Sequence, residues 1–123
     1  VPYKSQVSWE DVNTKAFAGL LIPGGWAPDK MRRFDKVKAI VQEMDEDKKP
    51  IGIICHAGWV TISAGIMKGR TATSTLAIKD DMENAGCTWI NQEVVIDGNL
   101  ISSRAPMDLP AYMKAFIKAL SAE

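Results

Sequence analysis

The feature that most constrains this chain is an abrupt change of pattern after Ile51–Ile54. This short apolar run is typical of a buried strand, and it stops at Cys55 and His56, which are followed by the small residues Ala57 and Gly58 and then by a helical pattern. A sharp turn from strand to helix lifts one side chain above the end of a sheet, as it does for the serine of a nucleophile elbow. The pattern therefore predicts that Cys55 is a nucleophile.

Strands and helices alternate along the chain. Residues 16–22 are apolar throughout, which predicts a buried strand, and the Pro-Gly-Gly of residues 23–25 turns the chain sharply after it. Apolar residues at spacings of three and four predict one amphipathic helix over residues 28–49. Further helices are predicted over 57–67, 78–85 and 109–120, the last with Met113, Phe116, Ile117 and Leu120 on one face, and a hairpin over 93–103. This order predicts an α/β fold with an open, mostly parallel sheet covered by helices.

The composition limits the kind of protein. The chain has 123 residues, 46% of them hydrophobic and 24% charged, so residues 1–123 are expected to form a single domain. Fifteen basic residues balance fifteen acidic ones, and no block of like charge is present to bind nucleic acid or an anionic membrane. The longest apolar run is far shorter than the roughly 20 residues that span a bilayer. We expect a cytoplasmic protein whose two cysteines, Cys55 and Cys87, are reduced, with no membrane association and no specific nucleic-acid binding.

Two loops that follow buried strands supply the residues of a candidate site. In a parallel sheet, Gly24-Gly25 and Cys55-His56 emerge at the same edge and can face one another. Backbone N–H groups near Gly25 and His56, at the start of a helix, could bind the oxyanion of a tetrahedral intermediate and favour the thiolate. His56, the only histidine, is the candidate base, and Asp29 could orient its imidazole.

Each of these residues also has a structural explanation. A free cysteine often behaves as a small buried hydrophobe, which is our interpretation of Cys87, and only the sharp turn favours reactivity at Cys55. A single histidine is more often a structural hydrogen-bonding residue, and Asp29 could simply be a charge at a helix N-terminus. A glycine pair by itself is an ordinary turn.

Three further residues have two interpretations each. Trp26 and Trp59 each follow a candidate loop, where they could line a substrate pocket or cap the core. Arg104, after the last strand, could bind a substrate anion, although a structural ion pair is the commoner arrangement. The sequence does not decide between these roles.

Five ordered segments of the chain resemble one family. They are residues 21–29 (LIPGGWAPD), 54–58 (ICHAG), 62–65 (ISAG), 78–86 (IKDDMENAG) and 94–104 (VVIDGNLISSR). In these segments the chain resembles the ThiJ/PfpI family of cysteine hydrolases, within the class I glutamine amidotransferase-like superfamily. The resemblance implies a flavodoxin-like three-layer sandwich, with Cys55 as the nucleophile and His56 as its neighbour in a triad. It also implies that Gly25 and the backbone around His56 form the oxyanion site, and that Asp29 comes from an adjacent subunit of a homo-oligomer.

The family's reported activities are peptidase, deglycase of glyoxal- and methylglyoxal-modified proteins and nucleotides, glutathione-independent glyoxalase, and stress chaperone. All the enzymatic ones begin with a thiolate that attacks a small carbonyl carbon. The resemblance therefore implies a cysteine hydrolase of the stress response, acting on small carbonyl or glycated substrates. The sequence contains no metal-ligand cluster and no nucleotide-phosphate motif, so no cofactor is expected. A stress chaperone or redox sensor is the alternative function, and a structural remnant is a third.

One difference from the family concerns the beginning of the fold. Family members start with a strand and a helix, and an acidic residue near the end of that strand hydrogen-bonds the nucleophile, whereas this chain starts downstream of both. We therefore expect a domain that is incomplete at its N-terminus relative to the family, with impaired catalysis. A sheet that lacks this central strand is expected to have unpaired edges on both sides of a gap.

Overall fold

A computed structural model describes residues 4–122. Six strands and five helices follow one another in the order β1 (Leu20–Ile22), α1 (Ala27–Met31), α2 (Asp35–Glu46), β2 (Ile51–Ile54), α3 (Gly58–Ser63), β3 (Thr71–Ala72), α4 (Lys79–Asn84), β4 (Thr88–Trp89), β5 (Val95–Asp97), β6 (Leu100–Ser103) and α5 (Leu109–Ser121). Short 3-10 turns lie at Trp9–Asp11, Thr14–Ala16, Cys55–Ala57, Leu76–Ile78 and Pro106–Asp108.

Four of the strands form one sheet in the order β1-β2-β6-β5. β1, β2 and β6 run parallel, and β5 joins the edge as the antiparallel partner of β6. The predicted mostly parallel sheet and the hairpin are therefore confirmed. β3 and β4 form a second, parallel sheet of two strands, which the sequence did not predict.

The predicted gap in the sheet is wrong. β1 and β2 pair directly, with Leu20 opposite Ile51 and Ile22 opposite Ile53. The two strands are adjacent in the sheet and form a continuous parallel ladder of hydrogen bonds. Within residues 4–122, β1 is one edge of the sheet rather than the border of an internal gap.

Helices cover both faces of the sheet. Successive strand residues pack against opposite helical layers because their side chains point to opposite sides. Ile51 and Ile53 share one buried cluster with Met44 of α2 and with residues of α3. On the opposite face, Gly52 lies under α5, where an added Cβ would collide with the Tyr112 hydroxyl. The three layers form the flavodoxin-like sandwich that was predicted. No helix in the described range is both long and apolar enough to cross a membrane.

The predicted helix over 28–49 is in fact two helices. α1 ends at Met31, and α2 begins after Phe34, whose backbone is extended (φ −101°, ψ 125°). The extended residue lets the Phe34 ring pack against Trp9, with 4.9 Å between ring centroids. This contact joins segments that are distant in sequence, so the local periodicity of the apolar residues does not reveal the break.

Two other predicted elements are shorter in the structure. The strand expected over 16–22 is reduced to Leu20–Ile22, because the preceding residues form a 3-10 turn in which the Asn13 side chain accepts a hydrogen bond from the Lys15 N–H. The helix expected over 57–67 ends at Ser63, and Gly65 follows in a left-handed conformation (φ 78°).

The final helix begins where the sequence predicts and extends to Ser121, but its buried face differs. Tyr112 and Phe116 are buried, whereas Ile117 is 57% exposed. The apolar stripe inferred from the sequence is therefore rotated. The predicted face omitted Tyr112, which packs beneath the sheet, and included a residue that faces outward.

Candidate active site

Two loops meet at the carboxyl end of the parallel strands. β1 and β2 are in register at Ile22 and Ile53, so the loops that follow them leave the sheet at the same edge, as predicted. They approach so closely that a Cβ added to Gly24 would lie 2.9 Å from the Cβ of Cys55. Real Cβ atoms essentially never show that separation, so glycine is required at position 24.

The backbone at Cys55 is in the left-handed region, with φ at 61°. A residue with a Cβ rarely adopts this conformation, and doing so costs energy that the surrounding structure must offset. Cys55 leaves β2 at this point and opens the 3-10 turn Cys55–Ala57, which leads directly into α3. The side chain is partly exposed and free of any disulfide. Cys55 therefore stands at a strained strand-to-helix turn.

The Cys55 thiol contacts the imidazole of the next residue. Its Sγ lies 3.3 Å from Nδ1 of His56. Adjacent side chains normally point to opposite sides of a strand, so this contact exists because the left-handed turn folds the two side chains together. At this distance an Nδ1 that carries no proton can accept the proton of the thiol.

Two indole rings flank the His56 imidazole. The ring centroid of Trp26 lies 6.1 Å from that of His56, and the centroid of Trp59 lies 5.0 Å away on a tilted plane. Trp59 is oriented by its indole N–H, which donates to Asp81 at 2.8 Å, while Trp26 is 81% exposed. Both tryptophans therefore flank the His56 imidazole, and Trp59 also packs against the core cluster.

Asp29 does not join this group within one subunit. It lies in α1, and its carboxylate pairs with Arg33 at 2.7 Å. Its side chain remains 48% exposed, and over residues 4–122 no hydrogen bond connects it to His56. The structure thus brings Cys55 and His56 together and leaves the third candidate on the surface.

Arg104 forms a structural ion pair. Its Nε and Nη2 atoms lie 2.9 Å and 3.0 Å from the two carboxylate oxygens of Asp108, and its backbone N–H donates to the same group. The hydrogen bond from Arg104 lowers the pKa of the Asp108 carboxyl below its usual value. Asp108 is almost fully buried, so the pair anchors the 3-10 turn Pro106–Asp108 to the end of β6.

An apolar groove of about 450 Å³ reaches the Cys55 thiol. One side consists of the β1 loop with Gly24 and Gly25, and the other of the beginning of α5. The residues that line it are Leu21, Ile22, Pro23, Gly24, Gly25, Ile54, Cys55, Pro106, Leu109, Tyr112 and Met113. The candidates Trp26, Trp59 and Arg104 lie outside this lining.

The α5 side of the groove was missed by the sequence analysis. Met113 was predicted to share one face of the final helix with Phe116, Ile117 and Leu120, and no residue of this helix was predicted to line a site. The one signal available was a tyrosine within an apolar helix, because its hydroxyl needs a partner or an opening. In the structure the Tyr112 hydroxyl is buried without a hydrogen-bond partner among the described residues, and burial raises the pKa of Tyr112 well above its ordinary value.

Backbone donors complete the arrangement. The N–H of His56 lies in the first helical turn, where backbone N–H groups have no acceptor within the helix, and Gly25 is left-handed (φ 73°) on the facing loop. A thiol, an imidazole and such donors are the groups that acyl- and carbonyl-addition chemistry requires. In the described part of the chain, no group of three or more His, Cys, Asp or Glu side chains is arranged to hold a metal ion.

Relatives with known names cover most of this chain. A deglycase of Thermococcus kodakarensis is 48% identical over 114 residues, which are 93% of this chain and 69% of that protein. A putative cysteine protease of Bacillus subtilis is 37% identical over 110 residues, 89% of this chain and 65% of that protein.

A solved structure shows the same fold. It is a two-domain protein of Anabaena variabilis with DJ-1/ThiJ/PfpI-like and ferritin-like domains, which superposes with a TM-score of 0.90 at 39% identity over 92% of this chain and 32% of that chain. The DJ-1/PfpI family itself matches residues 2–119. The resemblance seen in five sequence segments is thus confirmed across nearly the whole length, and the chain belongs to the DJ-1/PfpI family.

Proposed function

We propose that this protein is a cysteine-nucleophile hydrolase that acts on small α-oxoaldehydes or on the adducts they form with proteins and nucleotides. The observation that carries the proposal is the Sγ–Nδ1 distance of 3.3 Å between Cys55 and His56 at the end of an apolar groove. Relatives named deglycase and cysteine protease support DJ-1/PfpI-type chemistry in general. The names of these relatives do not select one substrate, so the choice of a small carbonyl substrate rests on the groove.

The groove supports a small substrate. Its volume of about 450 Å³ and its almost wholly apolar lining suit a few carbon atoms rather than a long polar peptide. The adducts that α-oxoaldehydes form with side chains present a carbon fragment of this size. We therefore rank deglycase and glyoxalase activity above peptidase activity.

The reaction would begin with proton transfer from Cys55 to His56. The thiolate then attacks the aldehyde carbon of methylglyoxal, a C–S bond forms, and the carbonyl electron pair moves to oxygen. Backbone N–H groups of Gly25 and His56 receive the oxyanion, and the imidazolium returns its proton to give a thiohemiacetal. His56 next takes a proton from the former aldehyde carbon and delivers it to the ketone oxygen, which gives an enediol. Protonation of the former ketone carbon, with loss of the hydroxyl proton from the former aldehyde oxygen, then leaves a thioester. Water hydrolyses this thioester to lactate and restores the thiol.

Assembly belongs to the same proposal. Asp29 is exposed and separate from His56 in its own subunit, so we propose that it approaches the imidazole of an adjacent subunit in a homo-oligomer. A carboxylate there would hold the imidazole in one orientation and stabilise its protonated form. The protein would work in the cytoplasm, where thiols stay reduced.

The test is lactate production from methylglyoxal, measured with EDTA and without glutathione. We expect turnover in the wild type, its loss in Cys55→Ala, and its retention in the matched variant Cys87→Ala, since Cys87 is buried away from the groove. Turnover that survives Cys55→Ala, or that is never detected in the wild type, would contradict the proposal.

A second candidate function rests on exposed apolar side chains. Trp26, Leu76 and Met107 are each more than 70% exposed, which is unusual for large apolar residues and is compatible with binding of unfolded chains. If suppression of citrate synthase aggregation is equal in wild type and Cys55→Ala while methylglyoxal turnover is absent, the chaperone function replaces the enzymatic one.

A further inference from the structure

A backbone hydrogen bond holds the carbonyl group of the nucleophile. The N–H of Thr75 donates to the carbonyl oxygen of Cys55 at 3.2 Å. Thr75 lies in the segment between β3 and α4, just before the 3-10 turn Leu76–Ile78, and belongs to neither candidate loop. A third segment of the chain therefore contacts the turn that carries the thiol.

This bond also fixes the direction of the His56 N–H. The carbonyl of Cys55 and the N–H of His56 belong to one peptide unit, which is planar, and no cis peptide bond occurs in the described residues. In a trans peptide the two groups point in opposite directions. Because the Cys55 carbonyl oxygen is held by the Thr75 N–H, the His56 N–H points away from Thr75. The left-handed backbone of Cys55 is strained, so the turn depends on such contacts for its stability.

Two side chains hold Thr75 in place. The Ser74 hydroxyl donates to the carbonyl oxygen of Thr75 at 2.8 Å, and the same hydroxyl oxygen accepts the indole N–H of Trp89 at 2.9 Å. Ser74 is 1% exposed, so water does not compete for these bonds. Trp89 is steadied in turn by Lys79, whose ammonium lies 5.3 Å from the ring centroid. The chain of contacts runs from Trp89 through Ser74 and Thr75 to Cys55.

We propose that Trp89 and Ser74 are positioning residues that, through Thr75, aim the His56 N–H at the oxyanion formed during catalysis. The inference rests on the proposed function, because it assigns a role to that N–H. It adds two residues that neither line the groove nor form a hydrogen bond with the Cys55 thiol. Their effect is confined to the step in which negative charge develops on oxygen.

The test compares two reactions of Cys55. Carbonyl addition creates an oxyanion, whereas alkylation by iodoacetamide displaces iodide and creates none. We expect Ser74→Ala and Trp89→Phe to lower kcat for methylglyoxal about tenfold with KM unchanged, which is less than the 10²–10³-fold effect of deleting an oxyanion donor. The alkylation rate of Cys55 should stay at the wild-type value.

The matched control is Trp9→Phe. Trp9 is a partly buried tryptophan that packs on the same hydrophobic cluster as Trp89. Its loss should leave both reactions unchanged, which separates the indole N–H of Trp89 from a general effect of removing a tryptophan. Circular dichroism and thermal unfolding establish whether each variant is folded. If Ser74→Ala does not fold, Trp89→Phe alone provides the test.

Every result bears on the inference. An active wild type with equally active Ser74→Ala and Trp89→Phe overturns it and leaves the proposed function intact. Equal losses in turnover and in alkylation also overturn it, because the variants would then disturb the thiol and not the oxyanion donor. A wild type without Cys55-dependent turnover overturns the inference together with the proposed function.

Discussion

The two cysteines of this chain occupy opposite kinds of environment. Cys55 is partly exposed, left-handed in its backbone and 3.3 Å from an imidazole nitrogen. Cys87 is 6% exposed in the connection between α4 and β4, where it belongs to the main hydrophobic cluster, and its thiol donates to the Thr88 carbonyl oxygen at 3.6 Å. Backbone geometry, rather than residue type, therefore distinguishes the candidate nucleophile from the core residue.

Electrostatics separates the two sites further. Burial raises the pKa of the Cys87 thiol, with the charge of Asp97 as a smaller contribution in the same direction. Cys87 therefore stays protonated at neutral pH. Cys55 is instead partly exposed, and its Sγ lies 3.3 Å from the His56 imidazole nitrogen, which can accept its proton.

Alkylation should give the largest difference between the two sites. We expect iodoacetamide at neutral pH to modify Cys55 on the order of 10³-fold faster than Cys87, since only a thiolate that solvent reaches reacts quickly. Peptide mass spectrometry over a time course measures both rates in one sample. Equal labelling, or faster labelling of Cys87, would contradict the prediction that Cys55 is the more reactive thiol.

Loss of Asp29 should reduce turnover at Cys55 by on the order of 10²-fold, as expected when an orienting carboxylate is removed from a histidine. The matched control is Asp35→Ala, because Asp35 is also an exposed acid in a first helical turn and pairs with Lys38 at 3.2 Å.

Assembly is measured alongside turnover. Light scattering should show at least a dimer for the wild type, for Asp29→Ala and for Asp35→Ala. A fully active monomer would contradict the shared site, as would an equal loss of activity in the two variants.

The ion pair between Arg104 and Asp108 should make the stability of the fold depend on pH in the acid range. Because Arg104 lowers the pKa of Asp108 in the folded state, the stabilisation is complete above the unfolded pKa of about 3.9 and is lost as pH falls through the lower folded value. Asp108→Asn should lower Tm by about 5 °C at neutral pH and by less in acid. Thermal unfolding across this pH range measures the effect, and a Tm difference that is independent of pH would argue against the ion pair as its cause.

Cys87 should give the smallest effect. Cys87→Ala removes one sulfur atom from a buried site, so we expect a loss of about 1 kcal/mol in the free energy of unfolding and no change in turnover. Denaturant titration and the lactate assay measure the two quantities. A large fall in activity at unchanged stability would show that Cys87 is not the structural counterpart described above.

Local sequence patterns predicted the parts of the site that depend on adjacent residues. The apolar run Ile51–Ile54 ends where the structure turns, and the glycines after β1 allow the facing loop to approach Cys55. The parallel arrangement of the strands and the meeting of the two loops at one edge of the sheet followed from the same reasoning. These features are encoded within a few residues of the place where they occur.

Features that need tertiary contacts were not predictable in this way. The break at Phe34 depends on a ring contact with Trp9, and the groove wall depends on how α5 rotates over Gly52. Likewise, the hydrogen bond from the Trp89 indole to the Ser74 hydroxyl joins two segments that carry no shared pattern. A single sequence records which residues are apolar or polar, but not which of them meet.

The left-handed backbone of Cys55 has a consequence for how the sequence drifts under mutation. Glycine adopts this conformation without the roughly 1 kcal/mol cost that a Cβ imposes, so Cys55→Gly would relieve strain while removing the thiol. Selection for stability alone would thus favour replacing Cys55 with glycine, whereas a catalytic role for its thiol would oppose that replacement. Automated stabilisation of this protein would for the same reason tend to replace the candidate nucleophile.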